Sequence, residues 1–215
     1  MIYVTWAAFY EGASDAAYFD VLIPKTIEDL ALKGVSPAII PSAPAVRLPR
    51  GTVEAIAQKA CDAKDAFHVV FFHADTGGRN LEATMDRRAD AYCRAMHECC
   101  RWPSERCVTI SPRHETEAWL LADSAAVMDA LGYRGSAQSV GLPTTAQAAE
   151  RLTDPKHVLE SAVRNVRGPR SKSANVRNLY AAIAQRQSLD ALRQASSFAD
   201  FEAKLRGALA GLGCR

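Results

Sequence analysis

Short apolar runs alternate with longer stretches of helical periodicity over the first 132 residues. The clearest runs are residues 2–9 and 67–72, and shorter ones occupy residues 35–40 and 107–110. Continuous runs of this length, rich in β-branched and aromatic residues, are typical of strands buried on both faces. The stretches between them repeat apolar residues every three or four positions, which predicts helices. The alternation predicts an α/β fold with a doubly wound, mainly parallel four-stranded sheet.

The helical periodicity changes in character after Gly132. Before this point, helices are predicted from Ser14 or Asp15 to Gly34 (with Pro24 inside), and over residues 51–64, 80–100 and 115–131. Beyond it strand patterns disappear, and helices are predicted near residues 145–151, 155–166, 175–186 and 198–211. We therefore predict an α/β domain over residues 1–132 and an all-α helical C-terminal region over residues 133–215.

The composition is that of an ordinary globular protein. Hydrophobic residues make up 48% and charged residues 23%, so disorder is not expected. The net charge of +2 is too small to predict a nucleic-acid partner by itself. No run of about 18 apolar residues exists, so no membrane span is expected. The N-terminal apolar run is interrupted by Glu11, which favours a strand over a signal peptide.

Cysteine usage indicates a reducing compartment. The six cysteines are sparse for this length, so reduced thiols in a cytoplasm are expected. Cys93, Cys99, Cys100 and Cys107 form a local cluster with His97. Because Cys99 and Cys100 are adjacent and point in different directions on a helix, a tetrahedral zinc set is hard to build. Small buried side chains are the better interpretation.

Acidic residues follow three of the predicted strands. Glu11 follows the first strand, Asp75 the third, and Glu115 and Glu117 the fourth. Since the carboxyl ends of parallel strands share the edge where ligands bind, these side chains are expected to converge. Asp15, one helical turn beyond Glu11, can point back towards it. Converging carboxylates repel one another unless a cation lies between them, so the pattern predicts a divalent site for Mg²⁺ or Mn²⁺.

Such a site suits phosphoryl chemistry, although simpler roles exist for some of its members. A divalent ion polarises a phosphoryl oxygen and activates water, and Gly77-Gly78 would let a phosphate approach the backbone. Asp15 and Glu115 also stand where helix N-caps are favoured, so capping is the alternative for both. Glu115 and Glu117 cannot both face inwards from a regular helix, which leaves the choice between them open.

Four stretches of the sequence carry a resemblance to known domains. Residues 11–15 (EGASD) resemble the first motif of the TOPRIM domain, which topoisomerases, DnaG-type primases and OLD-family nucleases share. Residues 73–78 (HADTGG) resemble its second motif, a strand that ends in Asp-x-Asp. Residues 114–123 (HETEAWLLAD) and 154–156 (DPK) resemble a small bacterial TOPRIM-like family of unknown function. Members of that family are often paired with ATPases in presumed defence or mobile-element loci.

The resemblance implies a metal-dependent nuclease that hydrolyses DNA or RNA, acting as the effector of an ATPase-paired anti-phage system. It implies Glu11, Asp75 and Glu117 as catalytic residues, and these three with Asp15 and His73 as metal ligands. His73 departs from the family pattern, because it replaces the first acid of Asp-x-Asp.

The His73 substitution leaves several interpretations open. A neutral imidazole ligates Mn²⁺ but is a poor ligand of Mg²⁺. The site could use one metal, prefer Mn²⁺, or have lost catalysis, in which case the chain is a non-catalytic subunit that docks on an ATPase or regulator. His73 could equally be a polar strand-end residue that hydrogen-bonds to the backbone.

A basic stretch without acidic residues lies between Glu160 and Asp190. The residues predicted to bind nucleic acid there are Arg164, Arg167, Arg170, Lys172 and Arg177. Arginine suits phosphate oxygens, so the stretch is predicted to hold a nucleic-acid backbone beside the acidic site. A solvated basic face, or a face for an acidic partner, is the alternative. Tyr180 is its only aromatic residue, so base stacking is not expected.

Overall fold

The computed structural model describes residues 2–33, 38–77, 88–168, 176 and 178–213. Its central sheet has four parallel strands in the order β4-β2-β5-β6. These strands are β2 (Trp6–Phe9), β4 (Val46–Arg47), β5 (Val69–His73) and β6 (Cys107–Ile110). Two further strands, β1 (Ile2–Tyr3) and β3 (Ala38–Ile39), pair with each other in a separate parallel sheet.

Ten α-helices surround the sheet within the described ranges. The first five are α1 (Ala13–Lys33), α2 (Val53–Asp62), α3 (Ala89–Cys100), α4 (Thr116–Leu121) and α5 (Ser124–Leu131). The C-terminal five are α6 (Ala146–Glu150), α7 (Pro155–Arg167), α8 (Leu179–Arg186), α9 (Leu189–Leu192) and α10 (Ser196–Gly211). Short 3₁₀ helices span Lys64–Ala66, Ser104–Arg106 and Gln138–Val140. The predicted α/β class, with a parallel sheet followed by helices, is confirmed.

Two predicted elements differ from the structure. The edge strand of the central sheet is Val46–Arg47, inside a proline-punctuated segment predicted to be a connection. Among the described residues of the strand predicted at 35–40, Ala38–Ile39 pair with β1 and not with the central sheet. A two-residue strand has no detectable periodicity, so the pattern could not reveal it. The helix predicted over residues 115–131 is broken at Asp123, whose side chain caps α5 by accepting a hydrogen bond from the Ala126 N–H.

The two faces of the sheet bury different residues of the same strands. Val69 and Phe71 join a core with α1, α4 and α10, whereas Val70 and Phe72 join a second core with α2 and α3. Successive residues of a strand point to opposite faces, so helices on both sides make the whole strand apolar. His73 continues the odd-numbered series and therefore lies on the α1 side, where its ring contacts Phe19 at 4.8 Å.

The C-terminal helices complete the larger core. Trp119 of α4 packs against Phe198 and Phe201 of α10, with ring centroids 5.1 Å and 5.6 Å apart. The buried Glu150 carboxylate accepts hydrogen bonds from the backbone N–H groups of Ser196 and Ser197, and so caps α10. Sequence composition changes at Gly132, but the residues on its two sides share one hydrophobic core. The division into two domains stays a prediction.

Four cysteines are disulfide-bonded, which makes the expectation of reduced thiols wrong for them. Cys61 is joined to Cys100, which links α2 to α3, and Cys93 is joined to Cys107, which links α3 to β6. Cys99 is exposed and free. Both Cys99 and Cys100 contact α2, because the Cys99 thiol donates to Gln58 Oε1 at 3.1 Å while Cys100 is bonded to Cys61. Among the described helices, none is both long and apolar enough to cross a membrane.

Candidate active site at the carboxyl edge of the sheet

Three adjacent strands deliver the predicted acidic residues to one edge. Phe9 of β2 is in register with Phe72 of β5, and His73 of β5 with Ile110 of β6. The ladder continues past β5, because the Ala74 N–H donates to the Ile110 carbonyl at 3.1 Å. The segments that leave these strands, and the first turns of α1 and α4, therefore meet at the carboxyl edge.

Thr116, the first residue of α4, connects the side chains that meet there. Its hydroxyl donates a hydrogen bond to Asp15 Oδ1 at 2.9 Å and lies 3.2 Å from His73 Nε2. Its backbone N–H donates to Asp75 Oδ1 at 3.2 Å. Because the hydroxyl proton is given to Asp15, Nε2 of His73 must be the donor to the Thr116 oxygen. Asp15, His73 and Thr116 are all buried.

His73 has the character of a cation enclosed by acids. Its Nε2 lies 3.2 Å from Asp75 Oδ1, and its Nδ1 lies 4.0 Å from Asp15 Oδ2. Burial lowers the pKa of the imidazole, but the hydrogen bond to Asp75 and the charges of Asp15, Asp75 and Glu11 outweigh it, so the pKa of His73 is raised. The surrounding carboxylates thus favour the protonated form of His73, and the predicted alternative of a backbone partner is not what the structure shows.

Two loops are joined so that Asp75 faces α4. The Thr76 hydroxyl donates to the Pro112 carbonyl at 3.1 Å and accepts from the His114 N–H at 2.8 Å. The Gly77 N–H then donates to the His114 carbonyl at 2.9 Å. Gly77 and His114 both have left-handed backbone, with φ of 63° and 68°. Glycine adopts this conformation freely, whereas a histidine there is uncommon.

Gly12 has a steric role next to Asp15. A Cβ at this position would lie 2.9 Å from Asp15 Oδ2, so the carboxylate would have to shift. The Glu-Gly pair after β2 therefore provides an acid and, beside it, the space that the second acid needs.

Glu115 and Glu117 occupy different parts of the site. Glu115 is the N-cap residue of α4 by position, yet its side chain makes no capping bond. Its Oε2 is buried and has no hydrogen-bond partner within the described ranges, and its pKa is raised by burial first and then by Asp75. Glu117 accepts a hydrogen bond from the buried Tyr180 hydroxyl. Burial raises the pKa of Glu117 although this hydrogen bond lowers it.

Glu11 lies at the half-buried rim of the site. Its charge helps to raise the pKa of His73, after the contributions of Asp75 and Asp15, and adds to the burial that raises the pKa of the half-buried Tyr92. Its backbone carbonyl accepts a hydrogen bond from Arg50 at 2.5 Å, and the Asp75 carbonyl accepts one from Arg88 at 2.9 Å.

The predicted basic surface is described only in part. Lys156, in the first turn of α7, acts electrostatically on Glu115 and Glu117. Arg164 follows about 12 Å further along the same helix, paired with Glu160 at 3.7 Å. Arg167 is in the last turn of α7. Three of the predicted residues lie outside the described ranges, namely Arg170, Lys172 and Arg177.

Several residues of the site were not predicted. Thr116 stands between two candidate acids, and a polar side chain at the start of a helix could have drawn attention to it. Arg50, Tyr92 and Tyr180 reach the site through contacts distant in sequence, and no local pattern marks them. Within the described part of the chain, no three His, Cys, Asp or Glu side chains have the arrangement of a formed metal-binding group.

Replacing Thr116 by valine should destabilise the fold. The variant removes the hydroxyl that donates to the buried Asp15 carboxylate and accepts from His73, and a buried group that loses its hydrogen bond costs about 1–3 kcal/mol. Urea unfolding measures the loss. Thr26→Val is the matched control, because that buried hydroxyl donates only to the Leu22 carbonyl of its own helix. Equal losses in the two variants would show that Thr116 has no special role.

The stability of the protein should depend on pH through His73. Since the folded-state pKa is raised, its contribution is complete below the unfolded value of about 6.5 and is lost as pH rises through the folded value. The free energy of unfolding should therefore fall more steeply above about pH 6.5 in the wild type than in His73→Gln. His157→Gln, an exposed change on α7, should keep the wild-type slope. A parallel pH dependence in wild type and His73→Gln would contradict this assignment.

Comparisons with family models, curated proteins and solved structures found no match to this chain. The similarity to the TOPRIM domain and to the small TOPRIM-like family stays an expectation that depends on the sequence motifs.

Proposed function

We propose that this protein is a metal-dependent nuclease that hydrolyses phosphodiester bonds of DNA or RNA. The observation that carries the proposal is the meeting of Asp15, His73 and Asp75 at the carboxyl edge of a parallel sheet, with Glu11 at its rim. Buried ionisable groups are expensive to maintain, and a cluster that contains groups with perturbed pKa values, here His73 and Glu115, is a candidate functional site. This edge is also where open α/β sheets bind ligands.

The donor atoms fit a divalent ion. His73 Nε2 and Asp75 Oδ1 are 3.2 Å apart, close to the spacing of about 3 Å between adjacent ligands of an octahedral ion with bonds of about 2.1 Å. Glu115 adds a buried carboxylate oxygen that has no hydrogen-bond partner in the described ranges. Ligation by His73 requires the neutral imidazole, so its raised pKa makes metal affinity increase with pH.

Different residues of the chain would take different roles at such a metal site. A bound Mn²⁺ or Mg²⁺ would polarise a phosphoryl oxygen and lower the pKa of a water. Asp75, His73 and Asp15 would hold the ion, and Thr116 keeps all three in place. Glu11, at the half-exposed rim, is positioned to exchange a proton with the attacking water or the leaving oxygen.

The two glutamates of α4 take separate roles in this proposal. Glu115 is the more suitable further ligand, because its charge interacts with Asp75 and Asp15. Glu117, predicted as both ligand and catalytic residue, is held by Tyr180 and would support the position of α4.

Partners and location remain parts of the proposal. Positive charge extends along α7 from the acidic site, at Lys156, Arg164 and Arg167. This arrangement supports a nucleic-acid substrate. An ATPase partner and an effector role in anti-phage defence depend on the family resemblance. A cytoplasmic location fits such roles, whereas the two disulfides are more usual in oxidising compartments.

One observation favours the alternative of a non-catalytic subunit. Thr116 joins Asp15, His73 and Asp75 through hydrogen bonds that involve no metal, although the buried His73 Nδ1 has no hydrogen-bond partner in the described ranges. Such a network could stabilise the sheet edge while the protein docks on an ATPase or regulator.

Cleavage assays test the nuclease proposal directly. The wild type should cut labelled single- or double-stranded DNA, or tRNA, with Mn²⁺ and less well with Mg²⁺, because a histidine ligand disfavours Mg²⁺. Glu11→Gln and Asp75→Asn should each lower the rate at least about 100-fold, and Glu54→Gln, an exposed change on α2, should not. Cleavage that survives both substitutions would place the active site elsewhere. An inert wild type, with and without a neighbouring ATPase, would end the nuclease proposal.

Thermal unfolding distinguishes a metal site from a purely structural network. Mn²⁺ should raise the melting temperature of the wild type, since a ligand at 100 times its Kd stabilises the native state by about 2.7 kcal/mol. The increase should vanish in Asp75→Asn and persist in Glu54→Gln. No increase in the wild type would favour the non-catalytic alternative.

A further inference from the structure

Two exposed arginines are fixed to the backbone of the two leading acidic residues. Arg50, which lies between β4 and α2, donates from Nη2 to the Glu11 carbonyl at 2.5 Å. Arg88, which directly precedes α3, donates from Nη1 to the Asp75 carbonyl at 2.9 Å. In the sheet, β2 lies beside β5, so Glu11 and Asp75, which follow these strands, leave the same edge. Arg50 and Arg88, which bind their carbonyls, therefore lie at that edge too.

Their anchoring differs from that of other arginines. Arg47, Arg186 and Arg193 each form an ion pair with a carboxylate. Arg50 and Arg88 form none within the described part of the chain, although a carboxylate belongs to each residue that anchors them. A guanidinium has five N–H groups, so one hydrogen bond to a carbonyl leaves donors for a further acceptor.

The position of Tyr92 relates the Arg50 contact to the Arg88 contact. Its pKa is raised by burial and by the charge of Glu11, and lowered by Arg88. The Tyr92 ring is therefore close to Glu11, whose carbonyl binds Arg50, and also to Arg88. This ring is stacked on Phe72, with centroids 4.9 Å apart and an interplanar angle of 8°, which makes it a rigid part of the rim.

The acidic site creates an electrostatic problem that such residues solve. A polyanionic substrate is repelled by the carboxylates of Glu11, Asp15, Asp75 and Glu115, and one imidazolium does not compensate for them. Two guanidinium groups held at the carbonyls of Glu11 and Asp75 place positive charge beside these acids. Arginine binds phosphate oxygens through two parallel hydrogen bonds, and its pre-fixed position reduces the entropy lost on binding.

We propose that Arg50 and Arg88 form a phosphate clamp that holds the nucleic-acid backbone over the acidic site. The clamp rests on the proposed nuclease function, whose site it serves. It assigns substrate positioning to two residues outside the basic stretch predicted from the sequence, on the side of the sheet edge that α2 and α3 flank.

Binding of a fluorescein-labelled oligothymidylate, with Ca²⁺ in place of Mn²⁺, tests the clamp without cleavage. Arg50→Ala and Arg88→Ala should each weaken binding about 5- to 50-fold and reduce the slope of log K against log salt by about one. Arg50→Lys and Arg88→Lys keep the charge without the planar fork, so they should recover the slope and only part of the affinity. Arg134→Ala is the matched control, since Arg134 is exposed in the α5–α6 connection.

The outcomes separate the clamp from the nuclease. A wild type that cleaves, with Arg50→Ala and Arg88→Ala binding as tightly as Arg134→Ala, overturns the clamp alone. Binding that depends on Arg50 and Arg88, without any cleavage, supports the clamp and contradicts the proposed nuclease activity. Loss of affinity with an unchanged salt slope in folded Arg50→Ala and Arg88→Ala also overturns the clamp, because it indicates altered structure and not a lost phosphate contact.

Discussion

The whole sheet edge depends on how the buried charges around Thr116 compensate one another. Asp15 and His73 are buried beside the half-buried Asp75, and a buried charge without a partner would be unfavourable there. One hydroxyl and one backbone N–H of Thr116 join them into a single hydrogen-bonded network. Since the network needs α1, β5 and α4 in fixed relative positions, it is both a consequence of the fold and a constraint on it.

The position of α4 follows from the hydrogen-bonded network around Thr116. α4 must begin immediately beside Asp75, so the loop after β6 is short and joined to the loop after β5 through Thr76. The helix is then held from its other side by Trp119 against Phe198 and by Glu117 against Tyr180. Hydrophobic contacts supply most of the stabilisation there, and the polar contacts determine orientation.

The strands, the class of fold and the approximate helix limits could be predicted because each depends on local periodicity. The convergence of Asp15 and Asp75 followed from one topological rule, that parallel strands end at the same edge. What escaped prediction depends on contacts between distant residues. The β4 edge strand exists because Val46 and Arg47 pair with Ala7 and Ala8. The state of His73 depends on the acids that surround it, and the disulfides on distances between helices that no spacing in the sequence reveals.

The hydrogen bond between Tyr180 and Glu117 links the site to a helix encoded 63 residues downstream. During synthesis, β2, β5 and β6 leave the ribosome long before α8 and α10 can pack on α1, α4 and β6. Contacts of such long sequence separation form late, because the intervening chain must first be closed into a loop. The acidic residues at the sheet edge are therefore in place before Tyr180 can bind Glu117. The polar support of α4 is acquired late in folding, only once α8 has packed against α1 and α4.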